Sequence, residues 1–225
     1  MGVIIATTLT YGTGTGTGAT TASISPAANS LILVAVMQRK GSTPVPSTPS
    51  LSGASMTWTQ VLTYNPGADY RTTVFRALSS TPGSGALTIS GCDSGTNDIG
   101  WIIVQLKNVV VTGTNGSDAV VQSGQNTTSG TTTGLTVTLS AFGKNSNAAI
   151  GFIASQSLVL SGFSRGTGFT ELTTVGDIGL IHGEFKDTQD TTVDWSWSSN
   201  AEAKHAVALE IKSAPRGGAF LFNLT

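Results

Sequence analysis

The chain has 225 residues, a net charge of −1 and only 10% charged residues, with 28 glycines and many threonines and serines in the gap. Eleven basic residues spread singly leave no footprint for nucleic acid, and the low net charge with abundant Val, Ile and Thr argues for strands and turns over disorder. The lone Cys92 excludes an intramolecular disulfide, and no run of about 18 apolar residues marks a helical membrane span.

In chain order, 3–10 reads as a first strand, and the start MGVIIATTL lacks the positive n-region of a signal peptide. YGTGTGTGAT then alternates Gly and Thr, as a flexible arm or an edge strand thinned by its glycines. Its G-x-G spacing precedes no helical pattern, so no phosphate cradle is expected there. Stretch 19–24 alternates, and LILVAVM (31–37) is a buried strand. GSTPVPSTPS carries three prolines and must be a surface loop. MTWTQVLTY (56–64) predicts a half-buried strand with Trp58 inward, and YRTTVFRAL (70–78) its antiparallel partner.

After a short strand at 86–90, IGWIIVQLKNVVV (99–111) is the longest apolar β-branched run, a central strand burying Trp101. A brief strand at 119–122 and the polar loop QNTTSGTTTG lead to LTVTL (135–139) and the buried AAIGFIA (148–154). Stretches 169–175, 180–186, 191–197 and 203–212 complete about a dozen strands, none with a helical period. The pattern predicts an all-β protein: a single antiparallel β-sandwich, jelly-roll-like, built of two sheets with extended arms. The expected limits are an N-terminal strand and Gly/Thr-rich arm at 1–18, the sandwich at 19–212, and a C-terminal arm at 213–225.

Candidate chemistry is sparse. GFSRG (162–166) matches the G-x-S-x-G nucleophile elbow, with Asp177, Asp190 and His205 downstream. The elbow requires a helix after the serine, and TGFTELTTV is a strand, so Ser164 is not expected to act. His182 and His205 sit inside strands, and two histidines with one cysteine make no zinc spacing. DSGTND (Asp93, Asn97, Asp98) and KDTQD (Asp187, Asp190) place oxygens on loops without the spacing of a calcium loop. No cofactor or metal is expected. Trp195 and Trp197 lie two apart in VDWSWS, as a sugar-stacking platform if outward or core payload if inward; the alternating Asp194, Ser196 and Ser198 favour inward. After Ser213, the stretch AFLFNL places Phe220, Leu221, Phe222 and Leu224 together without a charge behind Gly217-Gly218. Such a segment predicts docking onto a neighbouring subunit or a capsid, with Ile4 and Ile5 of the start doing the same; the alternative is that it docks back on its own sandwich, as chain termini often do.

The order ISPAANSLILVAV, GASMTWTQV, YRTTVFRAL, GWIIVQLKNV, LTVTLSAF, GFTEL, TTVDWSWS, AVALEIK resembles a group of domains common in phage and prophage proteins, over residues 22–212. The resemblance implies a non-enzymatic virion structural protein, above all a capsid decoration or cement protein. It would assemble in the host cytoplasm as a homo-oligomer (a trimer among the candidates) on partners such as the major capsid protein, with no nucleic acid or membrane. The alternative is a glycan-binding module of a tail or fibre tip using Trp195 and Trp197.

Overall fold

The computed structural model describes residues 4–41, 46–67, 69–128, 132–155, 162–175, 181–198 and 203–215. Their regular structure is nearly all β, 58% strand against 3% helix, in antiparallel sheets packed against each other. The first eight strands are β1 (Ile5–Gly14), β2 (Ala19–Thr20), β3 (Ser30–Arg39), β4 (Ser50–Gly53), β5 (Thr59–Gly67), β6 (Tyr70–Ser79), β7 (Leu87–Ser90) and β8 (Asp98–Lys107). They form a five-stranded sheet, β1-β8-β3-β6-β5, and a three-stranded one, β2-β7-β4. First beside eighth and second beside seventh is the wrap of a jelly roll.

A turn at Thr114–Ala119 leads to eight more strands: β9 (Val120–Thr128), β10 (Gly134–Thr138), β11 (Ala148–Ser155), β12 (Ser164–Arg165), β13 (Thr170–Val175), β14 (Ile181–Lys186), β15 (Thr192–Ser196) and β16 (Lys204–Ile211). Their sheets are β13-β14-β11-β16-β9 and β10-β15-β12. Advancing every label of the first unit by eight reproduces this arrangement. The expected all-β sandwich of antiparallel sheets is what forms, with its jelly-roll wrap occurring twice in tandem, in four sheets rather than two among the described residues.

Register fixes the equivalence residue by residue. Ile32 faces Gln105 across β3 and β8 as Ala149 faces Glu210 across β11 and β16. The register of β5 slips between Gln60 and Leu62, and that of β13 between Glu171 and Thr173. Both bulges leave an apolar residue unpaired, Val61 or Leu172, which packs inward.

The two five-stranded sheets face each other. Leu31, Leu33, Ile102 and Val104 from one meet Ile150, Phe152, Val207 and Leu209 from the other in a shared core. Strand β1 packs beside β13, and β5 beside β9, each contact the exchange image of the other. That is the mark of a two-fold relation. Outside these sheets, one small sheet covers Ile32, Val34, Val36 and Trp101, and the other covers Ile153, Ala206 and Ala208 with Val193, Trp195 and Trp197. Both inner sheets are thus buried on two faces, which explains the unbroken apolar runs of β3, β8 and β16.

The Gly-Thr stretch is strand as far as Gly14, paired with β8. It is an edge strand of the body rather than an arm. Gly12 lies opposite Trp101, and a Cβ on it would stand 2.6 Å from the indole. Trp58 precedes β5 and is only half-buried, its indole N–H donating to the Gly53 carbonyl at 3.2 Å; Trp101 is buried as expected.

Candidate functional site

The central strands β8 and β16 finish at the same end of the molecule. Beyond them Val109 bridges Ser213, the Val110 amide donates to the Lys212 carbonyl at 3.1 Å, and the Ala214 amide donates to Asn108 at 2.8 Å. Residues 108–110 and 212–214 thus run antiparallel across the two-fold. Strand β1 enters here, with Ile5 opposite Lys107, and so does β9, with Val120 opposite Ile211. Ile4 is buried in the shared core, whereas Ile5, Val111 and Val121 are exposed at 51%, 47% and 49%. Three of the four exposed large apolar side chains among the described residues therefore gather at one pole, with Tyr11 the exception. A groove of about 410 Å³ runs over Val109, Val110, Val111, Ala214 and Pro215, with Lys144 and Lys212 on its rim. Of the expected interface residues, Ile4 and Ile5 are thus brought to this pole; Phe220, Leu221, Phe222 and Leu224 lie outside the described residues.

Trp195 and Trp197 are 2% and 3% exposed. They point into the core between sheets, with the Trp197 indole N–H donating to the Thr132 carbonyl at 2.7 Å. The sugar-platform reading is corrected accordingly, since neither ring presents a face to solvent. The alternation with Asp194, Ser196 and Ser198 sets this phase. Trp197 instead carries the buried Lys204, whose Nζ stands 4.7 Å from the ring centroid.

The elbow residues are not brought together. Ser164 is exposed on β12, in the outer sheet of the second unit. His205 points the other way from β16, into the seam with the first unit, where its Nε2 shares a 2.6 Å hydrogen bond with Thr72 Oγ1. Its ring stacks on Tyr70 at 4.6 Å and meets Tyr64 edge-on at 6.2 Å. Asp190 accepts from Lys186 Nζ at 2.7 Å and from the Thr192 amide, and Asp177 lies outside the described residues. A cleft of about 300 Å³ does border Ser164, lined also by Phe163, Arg165, Phe169 and Glu171, with Arg165 and Glu171 ion-paired across it.

The loop oxygens are also engaged. Asp93 accepts from Ser47 Oγ at 2.6 Å and from Lys40 Nζ at 3.2 Å, which holds its carboxyl below the usual range, the Ser47 hydroxyl most of all. Asp98 pairs with Arg39 at 2.8 Å. Among the described residues no group of three His, Cys, Asp or Glu is poised for a metal. Burial pushes the Cys92 thiol up to about 11, which makes it a poor nucleophile.

Sequence reasoning named His182 and His205 but not their burial, and missed Glu184, Lys204 and Glu210, which are buried too. Glu184 accepts the Gly166 amide at 3.3 Å, and burial pushes its carboxyl up to about 8. His182, stacked on Phe163 at 4.1 Å, is pushed down by burial to about 4. Their positions inside apolar strands were the available signal, because a residue flanked on both sides by buried positions in a two-faced strand has no solvent side.

No family model, curated protein or solved structure matches this chain.

Proposed function

We propose that this protein is a non-enzymatic structural component of a phage virion, most plainly a capsid decoration or cement protein that assembles with copies of itself and with other virion proteins such as the major capsid protein. The observation that carries the reading is the apolar pole. Ile5, Val111 and Val121 leave three large apolar side chains in water at the end where both central strands finish, with Val111 on an apolar groove there, and exposed apolar surface supports an interaction site. The rest of the molecule suits a load-bearing part: two units share one core, and both inner sheets are covered on two sides. Cement proteins act by buried area repeated over many copies rather than by a single reactive site. The resemblance of strands 22–212 to phage domains points the same way. The buried Trp195 and Trp197 remove the feature that favoured a glycan module.

The test is to purify particles from the host that carries this sequence and count copies by quantitative mass spectrometry. A decoration protein appears at a stoichiometry comparable with the shell subunit, and a Val111→Asp/Val121→Asp variant is depleted from particles while keeping its fold. Absence from particles overturns the virion reading. A few copies per particle overturns the decoration role in favour of a tail component.

A further inference from the structure

We propose that residues 219–224 of this chain seat in a cleft of their own second unit, as the counterpart of the turn Thr114–Ala119 in the first. The cleft has a volume of about 370 Å³ and is lined by Ile4, Ile5, Thr170, Phe185 and Asp187 among others. Seated there, the segment covers Ile5 and leaves Val111 and Val121 as the exposed apolar residues of the pole.

In the first unit, the chain that leaves β8 folds back on its own sheet. Asn115 Nδ2 donates to Thr59 Oγ1 at 3.2 Å. Gly116, at φ +74°, lies so close to Leu31 and Leu78 that a Cβ would come within 3.0 Å of each. Ala119 is buried in the shared core, and the chain then enters β9.

The second unit repeats the approach. Lys212 follows β16 as Lys107 ends β8, behind the matching strings QLK and EIK. Residues 108–110 and 212–214 then lie against each other across the two-fold. Counting on in step from the two lysines, 114–119 correspond to 219–224. The seat corresponds as well. Thr59 pairs with Arg76 as Thr170 pairs with Phe185, which sets Thr170 in the place of Thr59. Leu31 faces Leu106 as Ala148 faces Ile211. Leu78 follows Ala77, the partner of Ile32, as Asp187 follows Lys186, the partner of Ala149.

Side-chain volume is exchanged between wall and occupant. The first seat has Leu31 and Leu78 as walls and admits only a glycine; the second has Ala148 and Asp187, and its occupant brings Leu221, flanked by Phe220 and Phe222. A larger occupant matches a shortened wall, which close packing requires. Ile4 and Ile5 stand at the cleft as the start of β9 stands at the turn. A segment tethered by so few residues also meets its own seat at high effective concentration.

The full chain carrying Thr170→Cys and Phe220→Cys tests this under mild oxidation. Thr170 is exposed, so the substitution leaves the core intact. The expected result is a disulfide closed within one chain, read on a non-reducing gel and by peptide mass. A disulfide joining two chains overturns the proposal, because the segment then serves a second copy. No cross-link also overturns it, as does a cross-link formed instead between Thr170→Cys and Gly2→Cys, which assigns the seat to the residues before Ile4. In parallel, deleting everything after Pro215 should lower the melting temperature by a few degrees and speed amide exchange at Phe185 several-fold. An unchanged truncation overturns the proposal.

Discussion

At the scale of single residues, the chemistry of this chain is set by burial. Glu184 has no exposed surface on β14, and its carboxyl is held up to about 8 against an ordinary 4.5, by desolvation first, with the Gly166 amide opposing. Between those two values the folded chain keeps a proton that the unfolded chain releases, so stability falls as pH rises across that window. Glu184→Gln removes the titration while keeping an acceptor for the Gly166 amide. The expected outcome is a higher melting temperature at pH 8 by calorimetry, a gain on the order of a few kcal/mol, and little change at pH 4. A variant less stable at pH 8 would show that the native carboxylate is ionised and paired. The signal in the sequence is its place in the apolar run LIHGEF, set against the ordinary tendency of a lone strand glutamate to face solvent.

At the scale of strands and sheets, glycine and tryptophan pack against each other, across one strand pair in the first unit and between two sheets in the second. Trp101 of β8 lies over Gly12 and reaches toward Gly14 of β1, and Trp195 of β15 presses on Gly151 of β11. The aromatic ring covers the space left by the absent side chain, so a strand weakened by glycine is held from its neighbour. Gly12→Ala should therefore destabilise by about 1–3 kcal/mol, since the indole sits across a well-packed strand pair and cannot retreat freely. Urea denaturation measures it, and a neutral result would show that the Trp101 ring has another low-energy position. This pairing also explains which elements were legible in the sequence. The strands at 31–37, 99–107 and 204–211 announced themselves through apolar runs buried on two faces. The Gly-Thr stretch read equally well as an arm, because what makes it a strand is Trp101, far along the chain. The phase of Trp195 and Trp197 was legible from alternation with Asp194, Ser196 and Ser198. The half-burial of Trp58 was not, because the bulge at Val61 breaks the period that β5 otherwise keeps.

At the scale of the whole molecule, two jelly-roll units are joined face to face. The duplication is faint in sequence, since GWIIVQLK and HAVALEIK share an apolar pattern and a closing lysine, and TWTQVLTY and GFTELTTV share mainly threonines. Packing preserves face and volume rather than identity, so register and bulge position display the repeat more clearly than letters do. Among the described residues, the seam between the units carries one imidazole, that of His205. It is faced by the phenols of Tyr64 and Tyr70 and by Thr72, while its neighbour Lys204 turns to the opposite side over Trp197. Burial pushes His205 down to about 3 from an ordinary 6.5. An unfolded imidazole gains its proton as pH falls through 6.5 and the native one does not, so stability is fully present above that value and is lost progressively toward pH 3. His182 adds to the same acid limb from outside the seam. Because the units share a core, unfolding monitored at the tryptophans of either unit should follow one transition at pH 7. Lowering the pH to 4 should bring that midpoint to lower urea, by about 1.4 kcal/mol per pH unit for each histidine engaged, less the opposing gain from Glu184 down to about 4.5. His205→Gln should flatten the slope between pH 6.5 and about 4.5, where His182 and Glu184 then oppose each other. If the slope in that variant equals that of the wild type, the proton enters elsewhere and the seam is not where acid acts.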